Sequence, residues 1–434
     1  MSEAQTAPPA KDAKDLNDAE FAAATNKFLA LIGADIAAYA EACVRCGQCA
    51  EACHFHEASG DPKHTPAYKL VPIAKAHRRA HSPLGWLGLA PQVSRDDLAH
   101  WEELIFDTCT MCGRCTIVCP MAIDVSSMVA ATRQAFAAAG LGPADLRAAA
   151  DNSRDRGSPL GVTAEVLRDR IEWLSDDNDV PIPLDKEKAD VLLTISSIEM
   201  MKYPQSVVAM AKLMNAAGAN WTFSSEGYES TNFGFLSGRP DIAKTMVERM
   251  AKAAEKVGAK ILVIPECGHA FGVMRWSGAN ILGRTLPFAV LHITEYLAQL
   301  KREGKLKFNP YDAKVTYHDP CQISRRGGAT QDARDLLDGF ATNFREMTPA
   351  GNLNWCCGGG GGVQAMARAA DLRHKVFQIK MDQVAKSGAD VMVSSCANCR
   401  LTMDESAGHW HWDKKLESLI EVLADHVIEQ GTTP

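Results

Sequence analysis

The sequence has no run of eighteen apolar residues, so it offers no helix that would cross a membrane. The first twenty residues, MSEAQTAPPAKDAKDLNDAE, lack the apolar core of a signal peptide and read as a solvated tail. A cytoplasmic protein is expected, with a peripheral place at a membrane left open. Positive charge is in deficit: 46 Lys+Arg stand against 53 Asp+Glu, for a net charge of −7. That argues against a nucleic-acid partner, which would select a basic face. No G-x-G-x-x-G stands at a strand end, so no flavin of its own is expected. The hydrophobic content, 46% over 434 residues, is that of a globular chain long enough for two or three cores.

Cysteine is what the chain has in excess. Its fourteen cysteines are clustered at ligand spacing and not spread as a disulfide framework would be. Residues 43–53 read CVRCGQCAEAC and residues 109–119 read CTMCGRCTIVC, two copies of C-x2-C-x2-C-x3-C. In such runs three thiolates from one loop wrap a face of a cubane [4Fe–4S] cluster, and the fourth reaches the other cluster. The expected sets are Cys43, Cys46, Cys49 and Cys119 for one cubane, and Cys109, Cys112, Cys115 and Cys53 for the second. Zinc would prefer two C-x2-C pairs per ion. His54 and His56 follow the first run and read as outer neighbours of the clusters, because the eight ligand places are already filled. The long insert between the runs carries helical patterns (YKLVPIAKAHRR, DDLAHWEELIF), so a helical ferredoxin domain is expected.

Beyond a charged connector (WLSDDNDVPIPLDKEKAD), short apolar runs alternate with amphipathic stretches. ADVLLTIS, NWTFSS and AKILVIP read as strands with helices between them, and the order recurs in AKVTYHD, NFREMT and ADVMVSS. Two βαβαβ units predict two parallel-sheet halves, with sites beyond the carboxyl ends of the strands. Cys321, Cys356, Cys357, Cys396 and Cys399 lie there as C-x34-CC-x38-C-x2-C. A disulfide between the neighbours Cys356 and Cys357 would be badly strained, since neighbouring Cα atoms sit about 3.8 Å apart and a disulfide wants roughly 5.5 Å. Five thiolates are one too many for a cubane, which suggests a metal–sulfur assembly with more edges. The glycines that follow, with Gly358, Gly359 and Gly360 first among them, would let backbone N–H groups approach such a group; alone they would read as a flexible loop. No Gly-Lys-Ser/Thr follows, so a phosphate loop is excluded.

HDPC, CCGG and SCANC together resemble the signature of the CCG cysteine-rich proteins. These include the B and D subunits of heterodisulfide reductases, the iron–sulfur subunit of anaerobic glycerol-3-phosphate dehydrogenase, and sulfur-oxidising heterodisulfide-reductase-like subunits. The arrangement is similar to that of the D subunits, a ferredoxin part fused ahead of a CCG part. The resemblance implies a mixed α+β and α/β fold. A tail and lead-in helix would occupy 1–35, a ferredoxin domain with two [4Fe–4S] clusters 36–150 and a linker 151–188. A degenerate CCG half would follow over 189–305 and an intact one over 306–434. It further implies one noncubane [4Fe–4S] cluster on the five cysteines, which makes or breaks S–S bonds with electrons relayed by the two cubanes. Implied partners are the other subunits of such a complex, a flavin-bearing one among them, and a sulfur- or lipoyl-carrying protein.

The first half departs from that pattern, with TISSIE, GYESTNFG and PECGHA where the family has cysteine motifs, so that only Cys267 survives. Cys267 reads either as an inert relic or as an active-site thiol with His269 as its proton partner. His318 is a candidate neighbour of the cluster, or part of a strand-end turn, and HWHWD reads as packing. The expected function is the iron–sulfur catalytic subunit of a heterodisulfide-reductase-like complex in sulfur metabolism. The alternative is an electron-transfer subunit of a membrane-associated flavin dehydrogenase of the glycerol-3-phosphate type.

Overall fold

The computed structural model describes residues 12–265 and 267–428. Its N-terminal part is helical because the apolar residues there recur three and four apart. In helix Arg95–Phe106, Leu98, Trp101, Leu104 and Ile105 form the buried face, while Ser94 and Asp97 close a capping box. Helices Asp18–Ala30 and Val125–Ala138 complete a core in which Phe136 meets Phe28 and Phe106 edge-on, at 5.1 and 5.9 Å between ring centres. The two cysteine runs lie on loops beside this core with the same backbone shape. Arg45 and Met111 both have φ near 54°, and Gly47 and Gly113 follow at 85° and 74°. These left-handed residues curl each loop so that its sulfurs face inward.

The remainder holds two four-stranded parallel sheets. The first contains β1 (Val191–Leu193), β2 (Trp221–Thr222), β3 (Ile261–Ile264) and β4 (Ala289–His292) in the order β2-β1-β3-β4. The second contains β5 (Tyr311–His318), β6 (Ala341–Phe344), β7 (Val391–Ser394) and β8 (Lys415–Ser418) in the matching order β6-β5-β7-β8. The expected mixed architecture, a helical ferredoxin part followed by two repeated parallel-sheet halves, is present. Each half has one strand more than the three read from the sequence, because AVLH and KLES run straight into helices Ile293–Arg302 and Leu419–Asp425. Within the stretch 151–188, helix Ala164–Asn178 buries Leu167, Ile171 and Leu174 in the core shared by both sheets.

The halves pack as copies about a pseudo-twofold. Helix Pro204–Ala216 lies on Leu419–Asp425, and Ile293–Arg302 lies on Asp332–Leu337. Each contact thus pairs the helix that follows the first strand of one half with the helix that follows the last strand of the other, the pattern of a self-complementary interface. The Arg400–Glu421 ion pair at 2.9 Å and the bond from Lys301 Nζ to the Asp335 carbonyl at 2.6 Å lie along it. This packing brings the carboxyl ends of β1, β3, β5 and β7 to one cleft, and the ferredoxin loops cover one side of it.

Candidate metal centre

The cysteines of the ferredoxin part gather around two small cavities. Cys43, Cys46, Cys49 and Cys119 line one. Cys53, Cys109, Cys112 and Cys115 line the other, so the last cysteine of each run faces the set of the opposite run. The first cavity is near the surface, with Cys46 and Val44 exposed, and the second is interior. His54, only 2% exposed, lines the second cavity, and its Nε2 is 3.5 Å from Thr110 Oγ1.

The other five cysteines form a buried nest at the end of the second sheet. Cys321 Sγ is 3.7 Å from Cys356 Sγ, and Cys396 Sγ accepts from the Cys399 N–H at 3.4 Å. Hydrogen bonds from Cys112 and Cys321 hold the Cys356 thiol below its ordinary range, and those from Cys356 and Cys399 do the same for Cys357. Cys321 and Cys399, the donors in these contacts, are pushed up. Cys112 therefore belongs to the second four-cysteine cavity and also touches the nest.

The glycine run explains how three parts of the chain come so close. A Cβ on Gly359 would stand 1.8 Å from Thr402 Oγ1, one on Gly361 would meet the Cys109 carbonyl at 3.0 Å, and one on Gly362 would meet Leu146 at 2.8 Å. The loop is a tight spacer wedged between the ferredoxin part and helix Ala397–His409. The Gly358 and Gly359 N–H groups donate to Cys356 and Cys357 Sγ at 3.5 Å, while Gly360 is pressed between His269 and Thr110. Arg133, fully buried, binds the wedge: its guanidinium donates to the carbonyls of Leu236 at 2.9 Å, Cys109 at 3.0 Å and Gly361. Gln322 Nε2 donates to the Met111 carbonyl at 2.7 Å, and Arg325 donates to that of Cys112 at 3.1 Å.

A cavity of about 250 Å³ opens over the nest, with Cys321, Cys357, Cys396 and Cys399 on one side and Cys267 on the other. Cys267 and Cys396 each cap the helix that follows the third strand of their half, so they face the cleft from related places. Ser196 and Thr231 line it from the loops after β1 and β2, where the second half has Cys321 and the vicinal pair. Burial first, and Cys396 second, push the Cys267 thiol up to about 12. His269 does not accompany it as a charged partner: burial pushes His269 down to about 3, and its Nε2 accepts from the Gly361 N–H at 3.2 Å. Glu229, 3% exposed, stands behind Thr231 and accepts from the Ser197 and Thr231 N–H groups at 3.0 and 2.7 Å. Burial pushes its carboxyl up to about 7.

The donor set fits iron–sulfur groups. Thiolates are soft ligands, and buried cations without carboxylate partners stand beside them. Lys69, 2% exposed, lines the second cavity and donates to the His64 carbonyl at 3.0 Å. Lys380, completely buried, donates to Asn354 Oδ1 at 2.6 Å and Gln383 Oε1 at 2.7 Å. Neither lysine makes an ion pair among the described residues, and a buried ammonium needs an anion to balance it. Clustered thiolates supply one. His318 is also fully buried; its ring nitrogens lack hydrogen-bond partners, and it stands with Cys357 and Cys399 so that their donor atoms lie within 4.8 Å of one another. Lys380 escapes a reading by motif. Its signal is a lysine in register with the buried Val376, Phe377 and Val384 of helix Ala370–Ser387. HWHWD does pack, with Trp412 edge-on to Phe377 at 5.3 Å.

Comparison with known proteins agrees with this architecture. A 4Fe-4S dicluster domain matches residues 39–123 and a cysteine-rich domain of the CCG type matches residues 315–404. The chain is similar to the D subunit of the dihydromethanophenazine:CoB–CoM heterodisulfide reductase of Methanosarcina barkeri, at 27% identity over 89% of this chain and 93% of that protein. It is similar to the Hdr-like menaquinol oxidoreductase iron–sulfur subunit of Archaeoglobus profundus, at 24% identity over 90% of this chain and 80% of that protein. An EtfAB:quinone oxidoreductase of Syntrophomonas wolfei matches 84% of this chain at 26% identity, over 54% of its own length. The chain thus carries the dicluster and CCG modules expected from its motifs and has the features of an iron–sulfur oxidoreductase.

Proposed function

We propose that this chain is the catalytic iron–sulfur subunit of a heterodisulfide-reductase-like complex, which makes or breaks S–S bonds in the cavity between Cys267 and the five-cysteine nest. The observation that carries the reading is how closely the second four-cysteine site sits on the nest: Thr110 Oγ1 is 3.4 Å from Cys356 Sγ, and Cys112 packs against the nest. In this reading Cys43, Cys46, Cys49, Cys119 and Cys53, Cys109, Cys112, Cys115 hold two cubane [4Fe–4S] clusters. Cys321, Cys356, Cys357, Cys396 and Cys399 hold a third, noncubane one. Bound there, such clusters would supply one-electron steps, the one held by the nest lying next to the cavity.

The chain's own residues do the rest. Opening a disulfide takes two electrons and two protons and releases two thiols; forming one returns them. The Cys43 set, with Cys46 exposed, would hold the group nearest the surface, and the Cys109 set would hold one between it and the nest, an order suited to carrying electrons inward. Leu160, Ile198 and Phe233 give the cavity apolar walls that exclude water, and Cys267 offers a protonated thiol opposite the nest. Glu229, behind Thr231, holds a proton near neutral pH. A partner subunit would carry the flavin, and a sulfur- or lipoyl-carrying protein is a fitting substrate source. A cytoplasmic place, peripheral to a membrane, accords with these partners.

The relatives described as menaquinol and quinone oxidoreductases favour a second reading, an electron wire with no sulfur chemistry. Anaerobic single-turnover assays separate the two. Protein reduced with about twelve irons per chain should reopen a disulfide probe and release two thiols. Oxidation by a quinone analogue with no thiol release would select the wire.

A further inference from the structure

Between Asp61 and Asp96 the chain has no acidic residue, although it carries 53 Asp+Glu in all. Residues 62–95 hold Lys63, Lys69, Lys75, Arg78, Arg79 and Arg95, together with His64, His77 and His81. The middle of this stretch is apolar and points outward. Leu84 is 57% exposed, Trp86 75%, and Leu87 and Leu89 71% each. Four large apolar side chains within six residues form a patch that ordinary surfaces avoid.

The loop is held rigidly in this shape. Helix Val71–His81 ends at Ser82, whose hydroxyl accepts from the Gly85 N–H at 3.0 Å and donates to the Arg78 carbonyl at 2.6 Å. Arg79 donates to the Gly85 carbonyl at 2.8 Å, and a Cβ on Gly85 would lie 2.3 Å from the Arg79 carbonyl. The Leu89 and Ala90 N–H groups return to the Leu84 carbonyl at 2.8 and 3.1 Å. With its backbone bonded inward, the turn presents Leu84, Trp86, Leu87 and Leu89 as a protruding tip. Of the cations nearby, Lys75 and Arg95 are paired with Asp97 and Asp18, and Lys69 is buried. Arg78, Arg79 and His81 stand at the base of the tip, and Arg78 reaches Glu41 at 3.6 Å, two residues ahead of Cys43. The base of the tip is therefore tied to the helix that leads into Cys43.

We propose that the Leu84–Leu89 tip is a membrane-surface anchor. Trp86 and the leucines enter the boundary between headgroups and acyl chains of an anionic bilayer, while Arg78, Arg79 and His81 face the lipid phosphates. A Trp and leucines over a cationic base, in a stretch without a single acid, match an interfacial anchor. The arrangement sets the exposed cysteine cavity at the level of a membrane electron donor or acceptor. It is independent of what happens at the nest.

The test is flotation of the intact, cluster-loaded protein with vesicles of equimolar phosphatidylglycerol and phosphatidylcholine, and with phosphatidylcholine alone. Binding should favour the anionic vesicles, weaken with added salt, and fall about tenfold in the W86S/L87S variant. That variant should keep its iron content and unfolding midpoint, because both side chains are exposed. Wild-type protein that stays unbound, or a variant that floats equally well, overturns the proposal. Loss of copurification with a membrane protein in the variant, with no vesicle binding by the wild type, would also overturn it and reassign the tip to a protein contact.

Discussion

Thr110 Oγ1 stands 3.4 Å from Cys356 Sγ, across 246 residues of chain. The contact exists because the glycine wedge lets the second ferredoxin run sit directly on the vicinal pair. Ferredoxin and CCG parts are thus packed directly on each other and not two domains on a tether, and several consequences can be measured.

On the proposed assignment, Cys53→Ser should remove the cluster held with Cys109, Cys112 and Cys115, and spare the one at Cys43, Cys46 and Cys49. The facing of the cavities carries this expectation. Electron paramagnetic resonance of the reduced variant is the check, and a loss confined to the Cys43 set would refute the pairing.

Gly359→Ala should destabilise the protein by about 1–3 kcal/mol and deplete iron at the nest, since the new methyl has no room beside Thr402. Gly272→Ala, where nothing lies within 4 Å, should be silent in the same unfolding assay. Equal behaviour of the two would mean that the wedge is not tight.

If the proposed sulfur chemistry holds, Cys267→Ser should keep full iron content and yet lower sulfur turnover, because the residue lines the cavity over the nest from the half that lacks the rest of the motif. Unchanged turnover and spectra would make Cys267 a relic, and a lost cluster would make it a ligand.

Burial pushes the Lys380 ammonium beside the nest down to about 7, so Lys380→Met removes a positive charge that is fully present only below that pH. The more positive the surroundings, the more readily a cluster accepts an electron, so the variant's nest potential should fall. A tenfold change in the one-electron equilibrium corresponds to about 59 mV. Anaerobic redox titration decides; a potential equal to wild type would leave Lys380 a purely packing residue.

His292, fully buried, caps helix Ile293–Arg302 by accepting from the Thr294 N–H, and burial pushes it down to about 3. Between about 3 and its ordinary value near 6.5 the unfolded chain binds the proton and the folded chain does not, so stability must fall as pH falls. The loss should be about 1.4 kcal/mol per pH unit below the ordinary histidine range. His292→Asn, which preserves a capping acceptor, should flatten this dependence when urea midpoints are compared at about pH 7.5 and about pH 5.5. An identical slope in both proteins would remove His292 as the cause.

Much of this molecule is legible in its sequence where spacing alone constrains chemistry. CVRCGQCAEAC and CTMCGRCTIVC announce two four-cysteine sites, and β1, β3 and β7 read directly because buried parallel strands are short apolar runs. Edge strands β4 and β8 do not read so, since four residues that lead into a helix share its apolar pattern. The glycines illustrate the limit well. Alone they read as a flexible loop, and only beside the vicinal cysteines do they suggest close approach; the neighbours they admit, Thr402, Leu146 and Cys109, come from distant parts of the chain.

Residue type and separation along the chain were enough to set the clustered cysteines, the repeat and the order of the parts. Three-dimensional packing was needed to show that Cys267 faces the nest, that His269 is a neutral acceptor for Gly361, and that Lys380 and Arg133 lie buried beside the sulfurs. Each of these depends on how two sheets and a helical domain meet. Burial and hydrogen bonding across that meeting set the charge of a side chain, and no local pattern encodes them.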